Sequence, residues 1–304
     1  MEPTAASPRF PTFARAFALV GHPLLLAGVF GLWWALGRSD EAMLVVLAAM
    51  LLVAMVLERL IPAVPAWRQG VGETLRLAGL YLLGLLVSGA VIIGYESVLP
   101  AVLGDVRARI GSAIWPSAWP VLAQALLLYF ASDFLYYWAH RAIHRWSPLW
   151  RASGHGFHHA FQNLHTINAG TSHPFELVLL ALPLVLLGAL FGPSDQAVSL
   201  AGVLLLTNAS LAHANIRMET PVFNLFFTSS DQHRRHHSAV FEDSNTNFAC
   251  NAILWDRLFG TYSRGEVKQT GIGPTQPALW RMFLLPFREP NDADTVATRR
   301  HTSG

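Results

Sequence analysis

Six long apolar runs set the terms for this chain. They cover roughly 17–36, 42–57, 75–99, 121–139, 175–191 and 196–212. A run of about 17–25 apolar residues is long enough to cross a bilayer as a helix. In hydrocarbon, only helices and closed barrels satisfy every backbone N–H and C=O group. Charged residues make up 13% of the chain, about half the share of an ordinary soluble domain. The expected fold is therefore all-α: an integral-membrane helical bundle of about six spans. The first run is followed by further spans, and LWWALGRSD offers no small-x-small cleavage site, so it reads as a span rather than a leader.

Arginines in the short loops orient such a bundle. Arg9 and Arg15 precede the first span. Arg59, Arg68 and Arg76 separate the second from the third. Arg141, Arg145 and Arg151 follow the fourth, and Arg217, Arg234 and Arg235 follow the sixth. The opposite loops hold only Arg38, Arg107 and Arg109. The arginine-rich side is expected to be cytoplasmic, in a bacterial inner membrane. Residues 101–120 read as a loop or interfacial segment, with Trp115 and Trp119 at headgroup level. The expected organisation is membrane spans and an interfacial segment over 1–120, a unit over 121–263 with the remaining spans and a cap, and a polar tail over 264–304. A net charge of +2 without a basic stripe gives no case for nucleic acid. The lone Cys250 excludes an internal disulfide and any CxxC metal site; it reads as a small buried apolar residue.

Histidine is distributed unevenly. Of 13 histidines, all but His22 and His301 lie between 140 and 237. His140 and His144 are spaced i, i+4 and share one helical face. His155, His158 and His159 are spaced i, i+3, i+4, and His233, His236 and His237 repeat that spacing. His213 ends the sixth span and His173 begins the fifth. GPSD at 192–195 reads as the turn of a hairpin between spans five and six. With that parity, all five pieces emerge on one membrane face, where they can converge in a helical cap.

Such a convergence makes a nitrogen-rich, nearly sulfur-free metal site. Imidazole suits Zn, Cu, Fe and Ni. One zinc ion takes about four ligands, and eight to ten histidines exceed that, so two metals are the natural count. Two metals at the mouth of an apolar bundle favour redox chemistry with O2. A zinc hydrolase would want a glutamate base, as in HExxH, but Gly156–Phe157 and Arg234–Arg235 fill the two trios. Lone imidazoles such as His22, His165 and His301 read as surface or interfacial residues.

DFLYYWAHRAIH (133–144), HGFHH (155–159), the HP of SHPFE (172–176), HANI (213–216), HRRHH (233–237) and WDRLFGTY (255–262) together resemble the fatty acid hydroxylase/sterol desaturase superfamily of integral-membrane di-iron proteins. The resemblance runs from about 125 to 263. It implies two iron ions held by His140, His144, His155, His158, His159, His173, His213, His233, His236 and His237, with O2 as co-substrate. Asp133 is a candidate to orient His140 or His144 through a hydrogen bond. Asp256 reads as a structural cap for the turn carrying Phe259 and Gly260.

The expected activity is O2-dependent hydroxylation or desaturation of a C–H bond in a lipid such as a fatty acyl chain or sterol-like ring. No CxxCH haem site and no GxGxxG flavin or nucleotide turn is present. A separate electron donor is therefore expected: a ferredoxin, a rubredoxin or a cytochrome b5-like protein. Arg141, Arg234 and Arg235 are candidates to dock it, although the positive-inside rule alone accounts for them. The rival reading is a membrane metal-binding or metal-transport protein without oxygenase activity. Transport would place ionisable residues along the spans near the midplane, whereas these histidines gather at one end.

Overall fold

The structure, a computed structural model, describes residues 10–287. Six helices are long and apolar enough to cross a membrane. They are α1 (Pro11–Ala35), α2 (Asp40–Leu60), α3 (Val71–Val106), α4 (Val121–Arg145), α7 (Pro174–Phe191) and α8 (Asp195–His213). Between α4 and α7 lie two short helices, α5 (Ser147–Ser153) and α6 (His155–His159). After α8 come α9 (Ser230–His236), α10 (Leu254–Leu258) and α11 (Leu279–Phe283). Among the described residues no strand forms; two isolated bridges, Pro62 to Ile216 and Ser238 to Thr270, tie loops together.

Each expected span is a helix. The boundary that differs most is the end of α3, which continues through Val106 into a π-helical turn at Arg107–Gly111, where a loop or interfacial segment was expected from 101. AVLGDV carries nothing that must break a helix, and Pro100 is accommodated within it. At about 1.5 Å per residue, the 36 residues of α3 outreach a hydrocarbon layer of about 30 Å. The interfacial tryptophan survives as a contact: Trp115 donates its indole N–H to Gln124 Oε1 at 2.9 Å.

The bundle is built around α8. In its most apolar window 67% of residues are buried, against 17–39% in the other spans. Small side chains such as Ala197 and Ala201 let its neighbours approach, the usual basis of helix association in lipid. Ser194 caps α8 by accepting the Ala197 N–H, and Gly192 takes a left-handed conformation at the end of α7, so GPSD is the hairpin turn expected of it. His22 is not interfacial. It is buried in α1, pairs with Asn208 Oδ1 of α8 at 2.7 Å, and accepts from Asn224 Nδ2 at 2.9 Å.

The short helices form a cap over one end of the bundle. Trp150, Phe157, Phe161 and Leu164 make its apolar core with Trp67, Leu77 and Tyr81 from the α2–α3 region. Residues 264–287 fold back onto it: Ile272 and Met282 are buried, and Phe283 meets Phe157 with ring centroids 4.8 Å apart. The last part of the expected polar tail, 288–304 with His301, lies outside the described residues, as do residues 1–9 with Arg9.

Glu58 fixes the cap to α2. Its Oε1 accepts the backbone N–H groups of Thr166 and Asn215, both at 2.8 Å. His165 serves this junction too, capping the turn Thr166–Gly170 with its ring 3.7 Å from Glu58. That turn sits against α3 so closely that a Cβ built on Gly84 would lie 2.3 Å from the Gly170 carbonyl oxygen. A Cβ on Gly79, in the same helix, meets nothing within 4 Å. Gly84→Ala is therefore expected to destabilise the protein by about 1–3 kcal/mol, the usual cost of overpacking. Gly79→Ala is expected to be neutral. Thermal unfolding of the two variants in detergent checks the contrast.

Candidate metal centre

Nine of the ten expected histidines converge. Their ligand nitrogens form two groups, each with every member within 4.8 Å of the others. The first contains His140, His144, His155, His159 and His236; the second contains His158, His213, His233 and His237. All nine are buried. The partition follows helical geometry. Each i, i+4 pair (His140/His144, His155/His159, His233/His237) stays in one group, because those side chains stack on one face. The i+3 members, His158 and His236, cross into the opposite group. Each adjacent doublet thus serves both groups, and the rings of His159 and His237 stack across the divide at 4.3 Å.

The chain fixes which ring nitrogen faces inward. His140 Nδ1 donates to the Phe248 carbonyl at 2.6 Å, His236 Nδ1 to the Thr246 carbonyl at 2.9 Å, and His213 Nδ1 to the Ala209 carbonyl at 2.8 Å. His155 Nδ1 donates to Glu176 Oε1 at 2.6 Å. A carbonyl or carboxylate oxygen can only accept, so Nδ1 carries the proton and Nε2 of the neutral ring is a lone pair.

Those lone pairs face one another. His140 Nε2 lies 2.8 Å from His155 Nε2 and 3.2 Å from His236 Nε2. In the second group His213 Nε2 is 3.1 Å from the Nε2 atoms of both His158 and His233. Neither nitrogen of the His140–His155 and His140–His236 contacts has a proton to share, so these are not hydrogen bonds between neutral rings. Protonating a ring is opposed by burial, which lowers His155 to about 3 and His158 to about 4 and holds His159, His233, His236 and His237 well below the ordinary imidazole range. A cation at the centre of the first group resolves the conflict, and the second group offers the same close spacing of Nε2 atoms. With metal–imidazole distances of about 2.1 Å, neighbouring ligand nitrogens at right angles about the ion sit about 3 Å apart, close to the 2.8–3.2 Å found here. The donor set therefore fits two transition-metal ions.

Asp133 does not reach His140 or His144. It accepts the backbone N–H groups of Asn251 and Ala252 at 3.0 and 2.8 Å. Asp256 accepts those of Phe248 and Ala249, both at 2.8 Å, and the Thr261 hydroxyl at 2.6 Å; burial raises this carboxyl to about 6. The two carboxylates thus clamp residues 248–252 from both ends, and Phe248 passes that restraint to His140. Cys250 within this segment is buried as expected.

His173 stands apart from both groups. Its Nδ1 accepts the Phe175 N–H at 3.2 Å, capping α7, and its ring covers Gly154, where a Cβ would lie 2.6 Å from it. The candidate docking arginines are engaged within the chain. Arg141 donates to the Tyr137 hydroxyl, Arg234 to Asp231, and Arg235 to Asp243 and Ser263. Glu176 was not anticipated as part of the site. Its only sequence signal is a lone acid one turn into an apolar span, three residues after His173. The Phe248, Thr246 and Ala209 carbonyls leave no residue-type signal at all.

A family profile for fatty acid hydroxylases matches residues 125–261. Over 289 residues the chain is 32% identical to the ornithine lipid hydroxylase of Rhizobium tropici, spanning 91% of this chain and 85% of that one. It is 29% identical over 167 residues to a methylsterol monooxygenase of Arabidopsis thaliana, 51% of this chain and 62% of the relative. It is 31% identical over 180 residues to the alkylglycerol monooxygenase of Danio rerio, 57% of this chain and 38% of the relative. No solved structure matches.

Two outcomes follow from the site. Removing a carboxylate that orients a metal-bound histidine typically weakens metal affinity about 10–100-fold. Glu176→Gln is expected to do so, measured by competition with a chelator, while the protein stays folded. Second, unfolded histidines take up protons near pH 6.5, whereas folded His155 and His158 stay neutral down to about 3 and about 4. The unfolded chain thus binds more protons across that window, so stability falls with pH there. Metal-free protein is expected to lose stability progressively between pH 6.5 and about 4, read as a falling melting temperature.

Proposed function

The chain belongs to the fatty acid hydroxylase family, and from that premise we propose that it is an O2-dependent, di-iron hydroxylase of a polar membrane lipid. The carrying observation is the inward-facing set of nine Nε2 atoms in two groups. In this reading His140, His144, His155, His159 and His236 hold one ion, and His158, His213, His233 and His237 the other. Iron bound there supplies the O2-dependent oxidation of an unactivated C–H bond; the protein supplies position and environment.

The chain's own contributions are separable. Glu176 and the three carbonyls hold the Nδ1 protons outward and keep the rings in ligating orientation. Asp133 and Asp256 hold the 248–252 segment under His140. The apolar spans keep water from the site and lie beside the acyl chains of a membrane-resident substrate. The arginine-rich loops support, by the positive-inside rule, a cap on the cytoplasmic side of a bacterial inner membrane. A soluble ferredoxin, rubredoxin or cytochrome b5-like protein would reach it there with the two electrons that each O2 requires.

The substrate class is proposed from the relative that spans 91% of the chain, an ornithine lipid hydroxylase: an amino-acid-containing membrane lipid. Metal transport is the weaker reading. The imidazoles sit at the helix ends and in the cap, and the buried acids Glu58, Asp133 and Asp256 are occupied by backbone N–H groups rather than spaced along a path.

Expression in a bacterial host that makes ornithine lipids and lacks this hydroxylase, followed by lipid mass spectrometry, tests the proposal. A gain in mass of one oxygen atom is expected, abolished by His155→Ala and by His233→Ala. Loss of two hydrogens instead would make the enzyme a desaturase. No change in any lipid, with iron-loaded protein and a working donor present, would contradict the oxygenase reading.

A further inference from the structure

After α8 the chain turns back along the outside of the bundle. The Glu219 N–H donates to the Ala18 carbonyl of α1 at 2.7 Å, and the Phe223 ring meets the His22 ring with centroids 4.9 Å apart. Phe227 packs on both Tyr129 and Phe130 of α4, each at 5.4 Å. Residues 254–259 follow the same helix. Trp255 Nε1 donates to the Phe130 carbonyl at 3.2 Å, and the Phe259 ring lies 5.0 Å from that of Trp138. Ala18, His22, Phe130 and Trp138 all fall within the apolar runs 17–36 and 121–139, which are long enough to cross a bilayer. Two segments that follow the last span therefore lie beside residues of the first and fourth.

Their outward side chains suit that level. Val222 is 71% exposed and Leu258 62%, and Leu225, Phe226 and Phe259 are exposed with them. The two segments are joined: the Phe226 carbonyl accepts the Leu254 N–H at 3.3 Å, and Arg257 donates to the Asn224 carbonyl at 3.2 Å. An apolar patch gathered from neighbouring loops marks an interaction surface. It continues onto exposed Leu19 and Val20 of α1 and onto exposed Trp138 of α4. The exposed Arg217–Glu219 pair stands at its shallow edge, at the level of Ala18.

Irregular backbone is tolerated at membrane depth only where protein satisfies its polar groups. Buried side chains do so here. Asn224 Oδ1 accepts the Thr220 N–H at 2.7 Å, and its Nδ2 donates to the Phe227 carbonyl at 3.1 Å. Gln232 donates to the Asn224 carbonyl at 2.9 Å. Asn208 Nδ2 reaches the Thr228 and Asn251 carbonyls, both at 3.3 Å, and the Tyr129 hydroxyl donates to the Asn251 carbonyl at 2.9 Å. The buried His22–Asn208–Asn224 network thus lines this backbone from within.

We propose that residues 220–227 and 254–259 form a re-entrant membrane element, which dips into the leaflet beside α1 and α4 and presents Val222, Leu225, Phe226, Leu258 and Phe259 to lipid acyl chains. Bilayer lipid is the occupant because the patch continues onto the outer faces of two spans and its backbone is satisfied without water. The element rests on the chain being an integral membrane protein, and it holds whether or not the imidazoles bind iron.

Spin labels on single cysteines test it, in the full chain reconstituted into vesicles of phosphatidylcholine and phosphatidylglycerol. Phe226→Cys and Leu258→Cys place labels at exposed positions of the patch; Leu86→Cys on the outer face of α3 and Lys268→Cys on the cap serve as references. Labelling of the unaltered protein checks that buried Cys250 stays unmodified. Relaxation is measured with O2, which concentrates in lipid, and with a water-soluble nickel chelate. Labels at 226 and 258 are expected to follow position 86, relaxed by O2 and shielded from nickel, at a depth of about 5–10 Å. Either label decides alone, should the other variant misfold. Nickel access matching position 268 would make this an aqueous face and overturn the proposal. Shielding from both agents, the mark of a covering protein or a second copy of the chain, would overturn it as well.

Discussion

Nine imidazole Nε2 atoms turned toward one another in a buried interior are the constraint on which this structure rests. Main-chain carbonyls and Glu176 fix protons on the outer nitrogens of His140, His155, His213 and His236. The inner nitrogens must then meet positive charge or repel. Burial opposes their protonation at neutral pH, which suits each group to a bound metal cation. The cap reads as scaffolding for that requirement. Three i, i+4 pairs deliver ligands two at a time. The doublets 158–159 and 236–237 each contribute one ring to either group and so link the two groups.

Buried carboxylates are the second level of control. Glu58, Asp133 and Asp256 each accept two backbone N–H groups. Each pair lies next to a ligand-bearing or ligand-orienting segment: Asn215 two residues after His213, and Phe248 beneath His140. An isolated buried acid would be expensive. Here the amides compensate, and the acids convert the positions of distant spans into the orientation of particular rings. A metal site made from loops at a membrane surface needs such bracing, because its ligands come from elements separated by up to about a hundred residues.

Much of this was legible in the amino-acid sequence. The spans were legible because lipid demands long uninterrupted apolar runs. The histidines were legible because metal ligation demands unusual residues at helical spacing. The far end of α3 was missed because arginines and prolines around 100–120 look loop-like, while the helix simply outruns the hydrocarbon. Asp133, seven positions before His140, sits about two turns away along the helix and accepts backbone N–H groups rather than a ring N–H. His173 shared the residue type of a ligand but serves as a helix cap. The carbonyls that set the tautomers could not be read from side chains, since backbone groups are common to every residue. The Ser229–Gln232 capping box that starts α9 was visible as SSDQ, but its meaning depends on knowing that the helix it opens carries His233 and His236 and ends at His237.

Anomalous X-ray scattering from crystals of the iron-loaded protein, measured on either side of the iron absorption edge, tests the central claim most directly. The account predicts two iron peaks, one ringed by the Nε2 atoms of His140, His144, His155, His159 and His236, the other by those of His158, His213, His233 and His237. A single peak, peaks bound through Nδ1, or imidazoles gathered without any metal between them would contradict it.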